Sequence, residues 1–273
     1  MRVFVEGVGL LGPGLNGWEA CRPLLAGEAP YVSLPTIVAA SPLLPPAERR
    51  RTGVPVKLAL AVGHEAFVNA GRDPATTATV FTSSGGDGEN VHEICASLAT
   101  VEREVSPTRF HNSVHNAAAG YWSIATRSQE PSTSLCGYDV SFAAGLLETA
   151  VQITVDERPV ALIAYDQPYP EPLHSARRIG ANFGVALVLT PQATSRTFAV
   201  LDVSLVPKKN RPTVMTVAAR PAGMTDAGLE AVRASVPAAR SLPLLAALAR
   251  EATEIILLDY VAGGHLRVAV APC

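Results

Sequence analysis

The segment from Ser132 to Thr154, STSLCGYDVSFAAGLLETAVQIT, constrains the fold more than any other stretch. Ser132–Cys136 is short, partly apolar and preceded by Pro131, which predicts a strand. Gly137 allows a tight backbone turn that a residue with a Cβ would resist. From Val140 onward, Val140, Ala143, Ala144, Leu147, Ala150 and Val151 fall at helical spacing, predicting a helix with one broad buried stripe. A strand that turns abruptly into a helix lifts one side chain above the end of a sheet. It also aims free helical N–H groups at whatever that side chain meets. Enzymes place nucleophiles there. The candidates are Cys136, before the glycine, and Asp139, after it.

The flanking sequence supplies the sheet. Met1–Val8, Thr79–Thr82 and Pro159–Asp166 read as strands, and Trp18–Leu25, Lys57–Ala70 and Ala117–Thr126 as helices. In Lys57–Ala70 the residues Leu58, Val62, Ala66 and Phe67 share one face. Another helix is expected to begin near Val91, and the proline-rich stretch Pro30–Pro46 reads as irregular. This alternation predicts an α/β chain with a mainly parallel sheet and helices on its faces. GVALVLT (Gly184–Thr190) and FAVLDVSLV (Phe198–Val206), joined by PQATSR, read as an antiparallel hairpin. Beyond Pro207 the signal thins to a short helix, Ser241–Glu251, and a second hairpin, IILLDY with LRVAV around AGGH.

Composition narrows the function. The chain has 273 residues, 48% of them hydrophobic, enough for one large domain or two small ones. A formal charge of -2 gives no electrostatic reason to expect nucleic acid or an anionic membrane. No segment approaches the roughly 20 apolar residues of a membrane span, and Glu6 with its neighbouring glycines interrupts any leader-like run. Cys21, Cys95, Cys136 and Cys273 lack paired spacing, which argues against zinc and disulfides and for a reducing cytoplasm. SSGGDGEN lacks both the P-loop lysine and the Rossmann glycine spacing, so no cofactor is expected. Only 17% of residues are charged, a composition suited to a large subunit interface.

Five stretches in order resemble the β-ketoacyl synthases, which have the thiolase fold. They are RVFVEGVGLLGPG, TVFTSSGGDG, SPTRFHNSVHNAAAGYWSIA, EPSTSLCGYDVSFAAG and the strands through Val206. The resemblance covers residues 1–206 and implies a thiolase-like fold whose second repeat, 207–273, is cut to a remnant. It departs from the family at the chemistry. With the family's proline–serine pair on Pro131–Ser132, the catalytic cysteine falls on Asp139, and Cys136 falls inside the strand as an ordinary small hydrophobe. The catalytic histidine motifs of the second repeat are missing: after residue 206 the only histidine is His265. What resembles a ketosynthase but lacks its cysteine is the chain-length factor of type II polyketide and aryl polyene synthases.

That resemblance implies a subunit without catalytic residues of its own. It would form a heterodimer with a full-length β-ketoacyl synthase and meet an acyl carrier protein bearing the growing chain. The strand Ser132, Thr133, Ser134, Leu135 and Cys136 would lie at the dimer axis. His111, Val114, His115, Ala117 and Ala118 would lie beside the acyl tunnel, with Tyr121 or Trp122 as its floor, so that Ala118→Phe shortens products.

Other readings stand beside this one. Cys136 with His111 or His115 and Asp139 has the residue types of a thiol nucleophile, base and orienting carboxylate. His111 and His115, four apart, would suit a metal if they shared a helix. ERRR (Glu48–Arg51) is either a solvated surface or a contact for an acidic carrier protein. Asp139 is also placed to cap the following helix.

Overall fold

The computed structural model describes residues 1–206, 222–261 and 264–273. The boundary at Pro207 and part of the AGGH turn lie outside these residues. Among the described residues nine strands form one sheet. They are β1 (Arg2–Gly12), β2 (Leu15–Asn16), β3 (Ala78–Thr82), β4 (Ser132–Leu135), β5 (Val160–Asp166), β6 (Phe183–Thr190), β7 (Ala199–Val206), β8 (Glu254–Asp259) and β9 (His265–Pro272). The helices are α1 (Trp18–Ala26), α2 (Pro46–Arg49), α3 (Val54–Ala70), α4 (Gly88–Leu98), α5 (Pro107–Asn112), α6 (Ala117–Thr126), α7 (Ser141–Asp156), α8 (Leu173–Ala176), α9 (Ala227–Ser235) and α10 (Leu242–Ala249).

The strand order is β4-β3-β5-β6-β1-β7-β9-β8, with β2 paired to β1 alone. Only β3–β4 and β3–β5 are parallel, so the sheet is mixed rather than mainly parallel. The expected hairpin of β6 and β7 does not form either. Both strands pair with β1, which lies between them. Their connection, residues 191–198, is longer than the roughly 2–5 residues of hairpin loops and crosses to the far side of β1. The second hairpin, β8 with β9, is present.

β1 and β7 pair antiparallel, and the orders outward from them mirror one another: β1-β6-β5 on one side, β7-β9-β8 on the other. The first set continues into β3 and β4, whereas the second stops at β8.

Two apolar cores sandwich the sheet. Residues of α3 and α6 pack one face through Leu58, Val62, Ala66, Phe67 and Trp122. Those of α1, α7, α9 and α10 cover the other. α3 lies so close to β1 that a Cβ on Gly7 or Gly9 would run into the carbonyls of Ala66 and Val62. In α7 the buried stripe is Phe142, Ala143, Leu146, Thr149, Ala150 and Ile153, while the expected Val151 is exposed. The stripe is rotated because Gly145 rather than a larger residue sits against Leu162 and Thr82.

Candidate functional site

β3, β4 and β5 end together, and the loops beyond them build the site. Asp166, at the end of β5, is buried. Its carboxylate accepts hydrogen bonds from Ser84 N at 2.8 Å, Ser84 Oγ at 2.7 Å, Ser83 Oγ at 3.2 Å and Ala238 N at 2.8 Å. Burial pushes its carboxyl above the usual range, and these donors offset that only in part. The knot ties the SSGGDG loop to β5 and to the turn before α10. The loop's glycines make room for a ring: a Cβ on Gly85 or Gly88 would collide with Tyr169. Asp87 caps α4 by accepting from Asn90 N at 3.0 Å. SSGGDG is therefore a close-packed turn.

At the elbow the left-handed residue is Tyr138, with φ 55, whereas Gly137 has φ −122. Space around Gly137 is tight, because a Cβ there would lie 3.2 Å from the Ala144 Cβ and 3.3 Å from the Ser141 backbone. Ser141 closes the turn: its Oγ accepts from Gly137 N at 3.0 Å and donates to Tyr138 O at 2.7 Å. The side chain of Asp139 does not cap the helix. It is bound instead by Arg177 at 3.0 Å and approached by Arg240 at 3.5 Å. The Arg177 guanidinium also stacks over the Tyr138 ring, 3.4 Å from its centroid. A carboxylate held between two guanidinium groups is a poor acyl carrier, and the position has no other nucleophile.

Cys136 lies one residue beyond β4 and is exposed, so the reading of it as a core residue is corrected. Its Sγ donates to Ser84 O at 3.2 Å, while His115 Nε2 donates to Ser83 O at 3.2 Å. Thiol and imidazole thus meet neighbouring carbonyls, and Asp139 is engaged elsewhere. The two histidines sit on different elements. His111, exposed on α5, stands edge-on to Tyr121 with ring centroids 6.1 Å apart, and His115 lies between α5 and α6.

β4 is an edge strand. Thr79 N donates to Pro131 O and Ser83 N to Leu135 O, so odd-numbered residues of β4 face β3. By the alternation of a parallel ladder, the backbone groups of Ser132 and Ser134 point away from the sheet. Beside this edge runs an open groove of about 510 Å³ lined by His115, Asn116, Ala119, Gly120, Ser123, Ser132 and Ser134. Val114 and Phe110 are exposed nearby in sequence, and Ala117 is half-buried. Ala118, Tyr121 and Trp122 instead belong to the packed core beneath. Trp122 meets Phe67 and Phe81, and the Tyr121 hydroxyl donates to Asn112 Oδ1 at 3.0 Å. The expected floor is therefore filled space, and Ala119, Gly120 and Ser123 are the residues that sequence reasoning missed. All three are small; Gly120 is exposed and Ser123 half-buried, whereas Ala119 lines the groove from within the same core as Ala118. Arg177 and Arg240 were also missed, because neither is near the elbow in sequence. His265 is buried in β9, with Nδ1 3.7 Å from Asp259.

A mixed sheet clothed by helices on both faces, with a strand–turn–helix elbow at an open edge, defines a thiolase-like chain. Residues 18–236 match the β-ketoacyl synthase N-terminal domain, and the chain belongs to that family. No curated protein sequence matches it. Solved structures share the fold. A chain of the ketosynthase (ApeO) in complex with its chain length factor (ApeC) from Xenorhabdus doucetiae is 21% identical, with TM-score 0.71 over 98% of this chain and 99% of that one. A chain of the ishigamide ketosynthase/chain length factor is 18% identical, with TM-score 0.72 over 100% and 99%. A chain of AntDE:AntF, a type II polyketide acyl-carrier protein in complex with its ketosynthase, is 13% identical, with TM-score 0.73 over the same shares. Among the described residues no helix is long and apolar enough to cross a membrane.

Proposed function

We propose that this chain is a chain-length-factor subunit. It pairs with an active β-ketoacyl synthase and shapes the space in which a carrier-bound acyl chain grows, as in polyene or polyketide elongation. The observation that carries this reading is the elbow itself. It is a strand–turn–helix in which Asp139, the residue that the family resemblance aligns with the nucleophile, is bound by Arg177. Condensation needs a thiolate and donors for the developing enolate, and the partner supplies both. The open edge of β4 and the exposed Cys136 beyond it are the surface offered to that partner, and His111 and Val114 flank it. The groove along Ala119, Gly120 and Ser123 is the part of this chain that meets the growing chain, with His115 at its rim.

Co-expression with the ketosynthase encoded nearest its gene, followed by size-exclusion chromatography with mass detection and a malonyl-carrier elongation assay, tests the reading. The expected result is a one-to-one complex whose activity needs the partner's cysteine and survives Cys136→Ala here. A lone chain that consumes acyl thioesters, and stops on Cys136→Ala, would overturn it.

A further inference from the structure

Beside the elbow, a pocket of about 230 Å³ is lined by Tyr138, Asp139, Arg177, Arg178, Ser235 and Arg240, among others. Three guanidinium groups face one carboxylate there. Asp139 takes a hydrogen bond from Arg177 at 3.0 Å, while Arg240 stands off at 3.5 Å with donors to spare. Arg178 is exposed and forms no ion pair among the described residues. The neighbouring Glu230 cannot compensate, because Arg233 already binds it, Nε to Oε2 at 2.7 Å. Asp259 lies beyond Arg240, in the adjoining cleft that Arg233 also lines, so the lining of this pocket itself has two more positive charges than negative ones.

One of the three donors is also held in place. Arg177 is pinned between the Tyr138 ring, 3.4 Å away, and Asp139. A fixed planar guanidinium loses little freedom when it binds an oxyanion. The amino end of α7, which begins just after Asp139, adds a partial positive charge. The carboxyl end of α9 at Ser235 opposes it with a partial charge smaller than the excess positive charge of the lining.

We propose that this pocket binds the phosphoryl group of a small phosphate ester. A phosphate monoester carries the two negative charges that the arginines lack, and guanidinium forks match its oxygens bidentately. The pocket is smaller than the roughly 300–1,000 Å³ of sites for drug-sized ligands, so it admits a phosphoryl group with a short stem. This inference stands whether or not the chain is a chain-length factor.

The test is titration of the full-length chain, with any subunit that co-purifies, by inorganic phosphate and by glycerol 3-phosphate. Potassium chloride at equal ionic strength is the control, and melting temperature and phosphorus line width are the readouts. Both phosphates are expected to bind saturably and chloride not at all. A tighter ester would mean that the stem is recognised too, and equal affinities would confine recognition to the phosphoryl group. Arg178→Ala and Arg240→Gln should each weaken binding tenfold or more, while Arg50→Ala, on the distant α2 end, should not. Because Arg178 is exposed and makes no ion pair among the described residues, its variant should melt like the parent without phosphate. Equal stabilisation by chloride, or parent-like titrations in both variants, would overturn the proposal.

Discussion

β6 and β7 are both eight residues long and flank the same strand, yet they stand in different surroundings. Every residue of β6 is buried, because helices cover the sheet on both faces there. β7 alternates buried and half-exposed positions, with Asp202 and Ser204 turned outward. Its inner face packs against the core that includes α9 and α10, and the core of α3 and α6 does not reach it. Among the described residues the first half is thus three layers deep, and the β7-β9-β8 half is two. The half with both layers carries the elbow, the open strand edge and the groove. The other has kept what extends the sheet and closes one core.

The largest effects probe whether these unequal halves fold as one body. Trp122→Ala empties the centre of the core found only in the first half, at an expected cost of about 3–5 kcal/mol. Leu245→Ala, in the core of α10, should cost about 2–5 kcal/mol. Urea unfolding followed by fluorescence and circular dichroism should show one coincident transition in each variant. A separate early transition in Leu245→Ala alone would mean that the second half is an independent unit.

Next in size is the seam between the halves. Glu6 sits where the β1–β6 register shifts, and its carboxylate is bound by Arg72 and by the Thr194 hydroxyl at 2.6 Å, in the connection that leads to β7. Burial alone would raise its carboxyl, but these donors outweigh it and hold it below the usual range. A depressed carboxyl stabilises the fold above its unfolded value, about 4.3, and that contribution disappears as pH falls through the folded value. Glu6→Gln should therefore lose roughly 3 kcal/mol near neutrality and melt with a shallower acid limb between pH 7 and 3. Asp202 and Glu230, held low mainly by Arg2 and Arg233, leave a residual slope of the same sign. Asp166, raised by burial, works in the opposite direction. An acid limb parallel to the parent's would remove Glu6 from the seam.

The sequence showed much of this contrast in advance. VALIAYD and GVALVLT are unbroken apolar runs, the mark of strands covered on both faces. AVLDVSLV alternates, the mark of a strand open on one. The boundaries of α6 were legible, as were α3 and its buried face. Pairing was not. Nothing local tells β7 to pair with β1 rather than with β6, because that choice depends on a strand nearly two hundred residues away. The elbow was legible as a turn but not in its geometry. Gly137 drew attention through backbone freedom, yet its φ is an ordinary negative one beside a close Ala144, and the left-handed residue is Tyr138. The partners of Asp139 lie on the α8 loop and beside α10, so only the fold brings them together.

A smaller effect is expected at the β4 edge, the end of the sheet that lies beside the elbow and the groove. Ser134→Pro removes an N–H that points away from β3, and proline is tolerated on an edge strand. The chain should stay folded, while its affinity for a ketosynthase partner falls about tenfold if β4 pairs across the interface. Analytical ultracentrifugation of the mixed subunits reads this directly. Unchanged association would move the interface off β4 and leave the open edge without a partner.

The smallest effect belongs to the residue that first raised the question of catalysis. Asp139→Ala deletes an ion pair whose carboxylate side chain is 42% exposed, and pairs so wetted contribute about 0–1 kcal/mol. Arg177 keeps its stack on Tyr138, so the elbow should hold its shape. Stability should change by less than about 1 kcal/mol, and elongation by the complex should continue at a rate within about twofold of the parent. If Asp139 acted on substrate as an acid or base, the same change would remove on the order of 10²–10⁴ in rate. The two expectations differ by enough that one elongation assay on one variant separates them. A large loss with the complex intact would return chemistry to the elbow and end the account of this half as a shaped but silent surface.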